Sequence, residues 1–583
     1  MLLQRLCEYA DRIEAEQGLP PPLYRDTAIR YIVALNQDGT SASQEPIDTA
    51  DVSQPSARKG THRPAPYVVR SSGTKPMLFS DGSDYTFGIP GDKPERAGKR
   101  HEAYLDLVRR CGATTHESSV YAILHFLKSN PLAHLTLPAD FDENANVTFR
   151  VGEIIPIDLP SVRAFWAAEH TPDSTREETT VMQCLVCGNT LPVLSRLQSK
   201  LQKVPGGQTA GTSLISANED AFGSYGLKNS LIAPTCARCG ERFTKAANAL
   251  IQAPDSHIRI QNVIYLFWTR EPVAMDPWGG FITEPKAEQV QALLDSVRTG
   301  KRAGTFADTA FYATALSGSG GRAVVRDWID TTVGQAQENL ARWFTRQRIT
   351  DEYGQPGRPL GLFSLAGATV RELRDIQNHT TQALIRSALT GGQLPLDLLF
   401  QAVRRNRAEG RITYPRAALI KLVLTSRGTF EEEAMAGLDT SNANAGYRCG
   451  RLFAVLEEAQ RHALPGIKST IVDRFFGSAS SAPLTVFARL IRGAQPHLAK
   501  LQRDRRGAYI ALQGRIEEIL AGLDSFPRTL ALEDQALFSL GYYHQRAHDR
   551  AQAREAAAAR KALGKQPAEA DLDSTILTDE VDQ

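Results

Sequence analysis

Two Cys-x-x-Cys-Gly hooks, CLVCG at 184–188 and CARCG at 236–240, bracket a long glycine-rich stretch and constrain the chain more than any other feature. Each hook is a turn that aims two thiols at one point, and two such turns complete a four-sulfur site for a tetrahedral metal ion. Cys184, Cys187, Cys236 and Cys239 are therefore the expected ligands of Zn²⁺. The spacing between the hooks is longer than in a compact finger, so the ion pins the base of a large insertion, residues 181–243. Four thiolates leave no open position for water, which makes the expected zinc structural and not catalytic. A pair of redox dithiols and chance spacing are the alternatives.

At 583 residues the chain exceeds what one hydrophobic core supports, so several domains are expected. With 42% hydrophobic and 23% charged residues, it has the composition of a soluble globular protein. No leader-like start and no long apolar run is present, which predicts a cytoplasmic location. Cys7, Cys111 and Cys449 are too scattered for a disulfide framework and read as buried thiols.

The pattern predicts an α+β multidomain protein: a mixed N-terminal part carrying the zinc-hook insertion, then helices ending in a bundle. Leu3, Leu6, Ala10 and Ile13 repeat at helical intervals, whereas Ile29, Tyr31, Val33 and Leu35 alternate as a strand. Residues 40–66, rich in Ser, Pro and Thr, read as a flexible loop, and 67–88 as two strands joined by the polar loop RSSGTK at 70–75. Further strands are expected at 147–152, at 262–268 and on both sides of Gly318–Gly321. The mixed part is placed at 1–350 and a helical connecting region at 351–445, with helices at 370–390 and 395–407. The bundle is placed at 446–563, with helices at 449–463, 468–477, 484–494, 499–522 and 531–561 and with Leu498, Leu501, Ile510, Ile516 and Leu520 on its inner face. Residues 564–583 form a disordered tail, with six acidic residues and no Lys or Arg in 567–583.

Several stretches resemble the large subunit of the type I-C CRISPR surveillance complex, Cascade. They are LLQRLCEYADR with GLPPPLY near the start, MLFSDGSDYTFG at 77–88, GTSLISANEDAFGSYG at 211–226, LIRSALTGGQLP at 384–395, RAALIKLVL at 416–424, CGRLFAVLEEAQ at 449–460 and LGYYHQR at 540–546. The resemblance covers essentially the whole chain, in the family's order. The second hook, Cys236 and Cys239, is not expected in every member, so the metal expectation rests on this sequence's own spacing. The resemblance implies a non-catalytic subunit of a crRNA-loaded complex, used in antiviral defense, that recognises the protospacer-adjacent motif (PAM) in double-stranded DNA. It implies partners as well: backbone and handle-binding subunits, a small subunit, and a helicase-nuclease recruited once the R-loop forms.

A net charge of +2 does not by itself announce a nucleic-acid protein, but the charge is uneven, with basic runs at 93–101 and 404–411. In the 70–75 loop, glycine permits close backbone approach while Arg70, Ser72 and Lys75 supply charge and hydroxyl donors. Residues alone read this as an ordinary exposed hairpin; the resemblance makes it the flanking-motif reader. Asn218, Ser224 and Tyr225 offer a base or phosphate contact, or are simply the residues a loop needs. Lys500, Arg503, Arg505 and Arg506 are placed to track a phosphate backbone, or form a solvated helix face. The resemblance further implies a small subunit made by internal translation, for which Met435 is the positioned start.

No phosphate-binding loop, HExxH, GxSxG or paired His-Asp constellation is present, so binding without cleavage is expected. A zinc-stabilised nucleic-acid enzyme of another kind, or a zinc-containing scaffold without DNA contact, is the alternative.

Overall fold

A computed structural model describes residues 2–562 apart from 17–19, 22, 52, 54–57, 69, 71–73, 91–93, 171–179, 198, 218, 274–277 and 299–307. Two compact units result: Met1–Gln252 with Gly318–Val324, and Ala253–Ser317 with Val325–Gln583. The division at Gln252 lies inside the span 1–350 that the sequence reading took as one mixed part.

The first unit is built on a strand whose alternation was plain in sequence. β1 (Tyr24–Leu35) buries Ile29, Tyr31, Val33 and Leu35. It pairs antiparallel with β2 (Ile47–Asp48) and β3 (Thr61–Pro66), and parallel with β4 (Asn146–Val151). Helices Pro94–Thr115 and Ser118–Lys128 cover this sheet, bringing Tyr104, Leu107, Val108, Cys111, Ile123 and Phe126 into one core with Phe149 and Trp166. His116 has left-handed φ (54°) and separates the two helices. Beyond Pro160–Glu169 comes the small hairpin of β5 (Val181–Gln183) and β6 (Thr190–Pro192), and the second hook opens helix Ala237–Gln252.

The second unit begins with an antiparallel sheet of β7 (His257–Ile260), β8 (Val263–Thr269), β9 (Ala310–Ser319) and β10 (Arg322–Thr332), in the order β10-β9-β8-β7. Helices follow to residue 562. Tyr414–Ser426 is buried from Arg416 to Ser426, which fits a helix surrounded on all sides. Its Lys421 is buried with its ammonium on the carbonyls of Arg348 (2.7 Å) and Thr345 (3.4 Å), the end of helix Val333–Gln347. The Thr345 carbonyl also accepts from the Arg348 amide (3.2 Å), while Arg348 itself caps the helix.

The bundle holds helices Ala445–Ala463, Ile471–Ala479, Pro483–Asp504, Arg506–Ala521 and Leu532–Ala562. Ala445–Ala463 and Leu532–Ala562 cross at two glycines. A Cβ at Gly450 would lie 2.0 Å from the Phe538 carbonyl oxygen, and one at Gly541 would lie 2.1 Å from that of Tyr447. Around the crossing runs a buried polar network. Glu457, 1% exposed, accepts hydrogen bonds from Tyr542 Oη (2.5 Å), Arg461 Nε (2.9 Å) and Thr470 Oγ1 (3.1 Å). Arg451 forms a two-pronged pair with Glu518 (3.0 and 3.1 Å) and donates to Gln545 (3.1 Å). Arg546 pairs with Glu458, which also takes His462 at 2.8 Å. Arg451, Glu457 and Glu458 all belong to the stretch CGRLFAVLEEAQ, which thus supplies the polar hub of the bundle.

Some expectations need correction. THRPAP is not loop but β3, an outer strand that tolerates Pro64 and Pro66. Among the described residues, 67–82 contains no strand, and Ser83–Thr86 is a single helical turn. The Asp81 carboxylate draws the amides of Met77 (2.8 Å) and Gly82 (2.9 Å), giving the backbone an alternative to a ladder. Residues 370–377 precede the helix, which spans Asn378–Thr390. The expected break near Pro496 is absent: Pro496 sits on an exposed side inside Pro483–Asp504, and the joint falls at Arg505. Ile510 is 60% exposed and not on the inner face, a place Leu512 and Ile519 take. The acidic tail, 564–583, lies outside the described residues.

Candidate metal centre and nucleic-acid surfaces

The hooks meet as the spacing predicts. The sulfurs of Cys184, Cys187, Cys236 and Cys239 lie within 4.8 Å of one another, with Cys187 exposed and the other three buried. None of the four is in a disulfide. The local backbone brings the two hooks together. Gly188 (φ 76°) donates to Cys184 O at 2.9 Å, closing the first turn, and Gly240 donates to Cys236 O at 3.0 Å in the second. Leu185 and Leu194 donate to the carbonyls of Pro234 (2.9 Å) and Thr235 (3.0 Å), drawing the turns together.

The donor set fits a soft divalent ion. Tetrahedral zinc at ~2.3 Å from each sulfur places the sulfurs about 3.8 Å apart, a small contraction of this cluster. Burial opposes ionisation of Cys184, but the amides of Cys187, Cys236 and Val186 turn toward its sulfur and bring it down to about 7. Cys236 and Cys239 are pushed up by burial first and then by their cysteine neighbours. A bound cation reverses that penalty, because a coordinating thiol is deprotonated outright.

The centre also holds the N-terminus. Gln4 donates to Val186 O (3.2 Å) and Cys7 Sγ approaches Cys239 O (3.7 Å), so helix Leu2–Glu16 packs on both hooks. Along Ala237–Gln252, Arg242 pairs with Asp11 and Glu14, and Glu241 accepts from the Leu23 amide at 2.6 Å. Lys245 donates to the carbonyls of Pro20 and Pro21, both at 2.7 Å. Pro20 and Pro21 are thereby seated on the helix that the second hook opens.

The glycine-rich insertion is tied to the hairpin tip. Gly318 donates to Pro205 O at 2.7 Å, and a Cβ there would meet Gly207 N at 2.2 Å. Arg322, on β10, lies over the Phe222 ring at 4.3 Å. Beyond this, Tyr225 is 100% exposed with left-handed φ (52°), and Ser224 beside it is exposed, in a turn closed by Leu227 N to Ser224 O (2.9 Å). Asn218 lies outside the described residues.

The 70–75 candidates separate. Arg70 binds the carboxylate of Asp81, donates to Lys75 O at 2.8 Å and lies 4.1 Å from the centre of the Tyr85 ring. Arg100 flanks the same ring at 5.4 Å and pairs with Asp84. Burial pushes Asp81 up to about 6, against the opposing pull of Arg70. Thr74 and Lys75 are exposed, whereas Ser72 lies outside the described residues.

On the bundle, the basic residues do not start one long helix. Lys500 and Arg503 lie in the last turns of Pro483–Asp504, Arg505 is the joint, and Arg506 opens the next helix. Lys500 donates to Ala463 O at 2.8 Å. The reading missed Arg489 and Arg492, which share the exposed side of the same helix. The missing signal was spacing: 483–503 holds no Asp or Glu, and its cations recur at intervals of three, eight and three. Arg489, Arg492, Arg503 and Arg506 form no ion pair among the described residues. Of the earlier basic runs, Arg405 pairs with Glu409 and is committed internally.

A cavity of about 740 Å³ in the second unit is lined by Arg342, Arg348, Lys421, Glu338, Glu432 and Glu433. Burial, and then Arg348, brings Lys421 down to about 8, in the range of catalytic lysines, yet its ammonium is occupied by the two helix-end carbonyls. No helix among the described residues is long and apolar enough to cross a membrane.

The sequence model of the family described as CRISPR-associated protein (Cas_Csd1) matches residues 6–549. No curated protein gives a significant match.

Proposed function

The chain belongs to the Cas_Csd1 family of CRISPR-associated proteins, and on that premise we propose that it is the non-catalytic large subunit of a crRNA-guided type I-C Cascade. In this reading the first unit recognises the flanking motif in duplex DNA and promotes R-loop formation. Guide RNA then pairs with the target strand, so base pairing reads most of the sequence. The observation that carries the reading is the span of the family match, which takes in both the 70–75 loop and the bundle.

Three features support the division of labour. Lys75 projects from a loop whose base is fixed to the core through Asp81, as a group that must meet one DNA position requires. Tyr225 offers an aromatic face with no protein neighbour covering it, suited to a base or to the edge of a groove. The unpaired arginines of the bundle suit a phosphate backbone, where contact is independent of sequence. The metal is zinc, and its role is to fold the hooks and seat helix Leu2–Glu16. The helicase-nuclease and the small subunit complete the set of partners, the latter started at Met435.

Opening of a matched duplex tests this. Displaced-strand reactivity is measured for the guide-loaded complex with and without this chain, alongside nucleotide and nuclease turnover by the chain alone. The reading requires opening only with the chain present and no turnover. Turnover abolished by one carboxylate substitution moves the chain to the enzymes, and opening without it moves the chain to scaffold.

A further inference from the structure

The resemblance made Arg70 a candidate reader of DNA, but the structure engages two of its three guanidinium nitrogens and a face of the group within the protein. Its Nη2 is on Asp81, its Nε on the Lys75 carbonyl and its face on the Tyr85 ring. Asp81 in turn is 1% exposed, and its carboxylate and carbonyl oxygens are all engaged. One carboxylate oxygen takes Arg70 and the Met77 amide (2.8 Å), and the other takes the Gly82 amide (2.9 Å). Its carbonyl accepts from the Val147 amide of β4 (2.8 Å) and from Thr86 Oγ1 (3.2 Å). The residue is therefore anchored to the sheet on its backbone side and grips the loop on its side-chain side.

These contacts form one chain of custody: β4 holds Asp81, Asp81 holds Arg70, and Arg70 holds the backbone of Lys75. Met77, two residues beyond, is fixed to the same carboxylate. The backbone leaving Lys75 is thus held at the Lys75 carbonyl and at the Met77 amide, while the Lys75 side chain is exposed.

We propose that Asp81 is a positioning residue for DNA recognition, acting through Arg70 to hold Lys75 in place, and that Arg70 itself makes no base contact. This rests on the reading of the 70–75 loop as the flanking-motif reader. The arrangement follows a general requirement: a long lysine side chain discriminates between sites only when its backbone is fixed, since otherwise its charge attracts any phosphate.

The test uses the full guide-loaded complex and matched duplexes with randomised flanking bases. Enrichment of the preferred flank and hydrogen exchange at the Met77 amide are read together for Asp81→Asn, Arg70→Ala, Lys75→Ala and the Asp81→Asn/Arg70→Ala double variant. Asp81→Asn and Arg70→Ala should each lower enrichment roughly tenfold, the scale of one lost base contact, and speed exchange at Met77. The double variant should be no worse than either single one, because both break the same chain. Lys75→Ala should lower enrichment as far without changing Met77 exchange.

Loss of enrichment in Arg70→Ala with Met77 exchange unchanged would make Arg70 a direct reader and overturn the inference, as would an Asp81→Asn variant unchanged in both readouts. Should Asp81→Asn fail to fold, Arg70→Ala, made at a side chain 31% exposed, decides the matter with Lys75→Ala. Lack of enrichment by the unaltered chain overturns the motif reading, and the inference with it.

Discussion

The hook region and the helical bundle reach a defined structure by opposite routes. Among the described residues, 181–235 holds two three-residue strands, two short 3-10 helices and turns, and the chain there returns on itself through glycines. Its buried apolar side chains are few, chiefly Val186, Val193, Leu197, Leu201 and Val204, and the proposed ion on the four thiols would supply what a larger core supplies elsewhere. The bundle instead shares a continuous apolar core with the rest of the second unit and carries a polar network of ion pairs and hydrogen bonds around its helix crossing. The lesson concerns where sequence change is tolerated: in the hooks four atoms decide, whereas in the bundle the geometry of a helix crossing does.

Metal removal should separate the two most sharply. Chelation, or Cys184→Ser, forfeits a binding free energy of roughly 10–16 kcal/mol and should unfold the hooks together with the docking of helix Leu2–Glu16. Hydrogen exchange should then rise across 2–16 and 181–252 while 445–562 stays protected. Bundle exchange rising in parallel would break the comparison.

Arg546→Ala is the bundle's counterpart. It strips a cation from the buried Glu457 and Glu458, and should cost about 3–5 kcal/mol by denaturant titration without changing metal content. Gly450→Ala forces helices apart where a carbonyl stands 2.0 Å from the new Cβ, and should cost about 1–3 kcal/mol. The same substitution at Gly493, which has open space around it, should not destabilise by overpacking.

The network also predicts a pH response. Burial alone would raise Glu458, but His462 and Arg546 hold it down to about 2, from an ordinary 4.5. A carboxyl depressed on folding contributes stability that is complete above its unfolded value and is lost as pH falls through the folded one. Bundle stability should therefore decline from about pH 4.5 to pH 2, and Glu458→Gln should flatten that decline in thermal melts. The smallest effect is expected at the surface: Arg489→Ala with Arg492→Ala should leave stability within about 0.5 kcal/mol. It should lower the slope of log affinity against log salt by about 2 if both meet phosphate.

Much of this architecture was legible where a residue pattern has one physical reading. The Cys-x-x-Cys pairs announced the hooks, and the alternation of Ile29, Tyr31, Val33 and Leu35 announced β1. The illegible parts are those where the partner lies far off in sequence. Nothing around THRPAP says strand, because its proline-containing edge takes its pairing from β1. Leu78 and Phe79 imitate a strand, yet Phe79 has φ 53° and both are buried beside a carboxylate that organises the turn. Pro496 looked like a helix end but lies where solvent covers the lost hydrogen bond, and Arg505 marks the true joint with no local signal. Of the candidate sites, the meeting of the four cysteines was readable; the commitment of Arg70 to Asp81 was not, since a buried Asp eleven residues on is invisible to spacing.

The central claim is that this chain gives the complex its choice of flank, and selection among matched duplexes with three randomised flanking bases tests it most directly. The account predicts one enriched motif only when the chain is present, with enrichment lost in Lys75→Ala and retained in Arg489→Ala. Equal recovery of all flanks with and without the chain would contradict it.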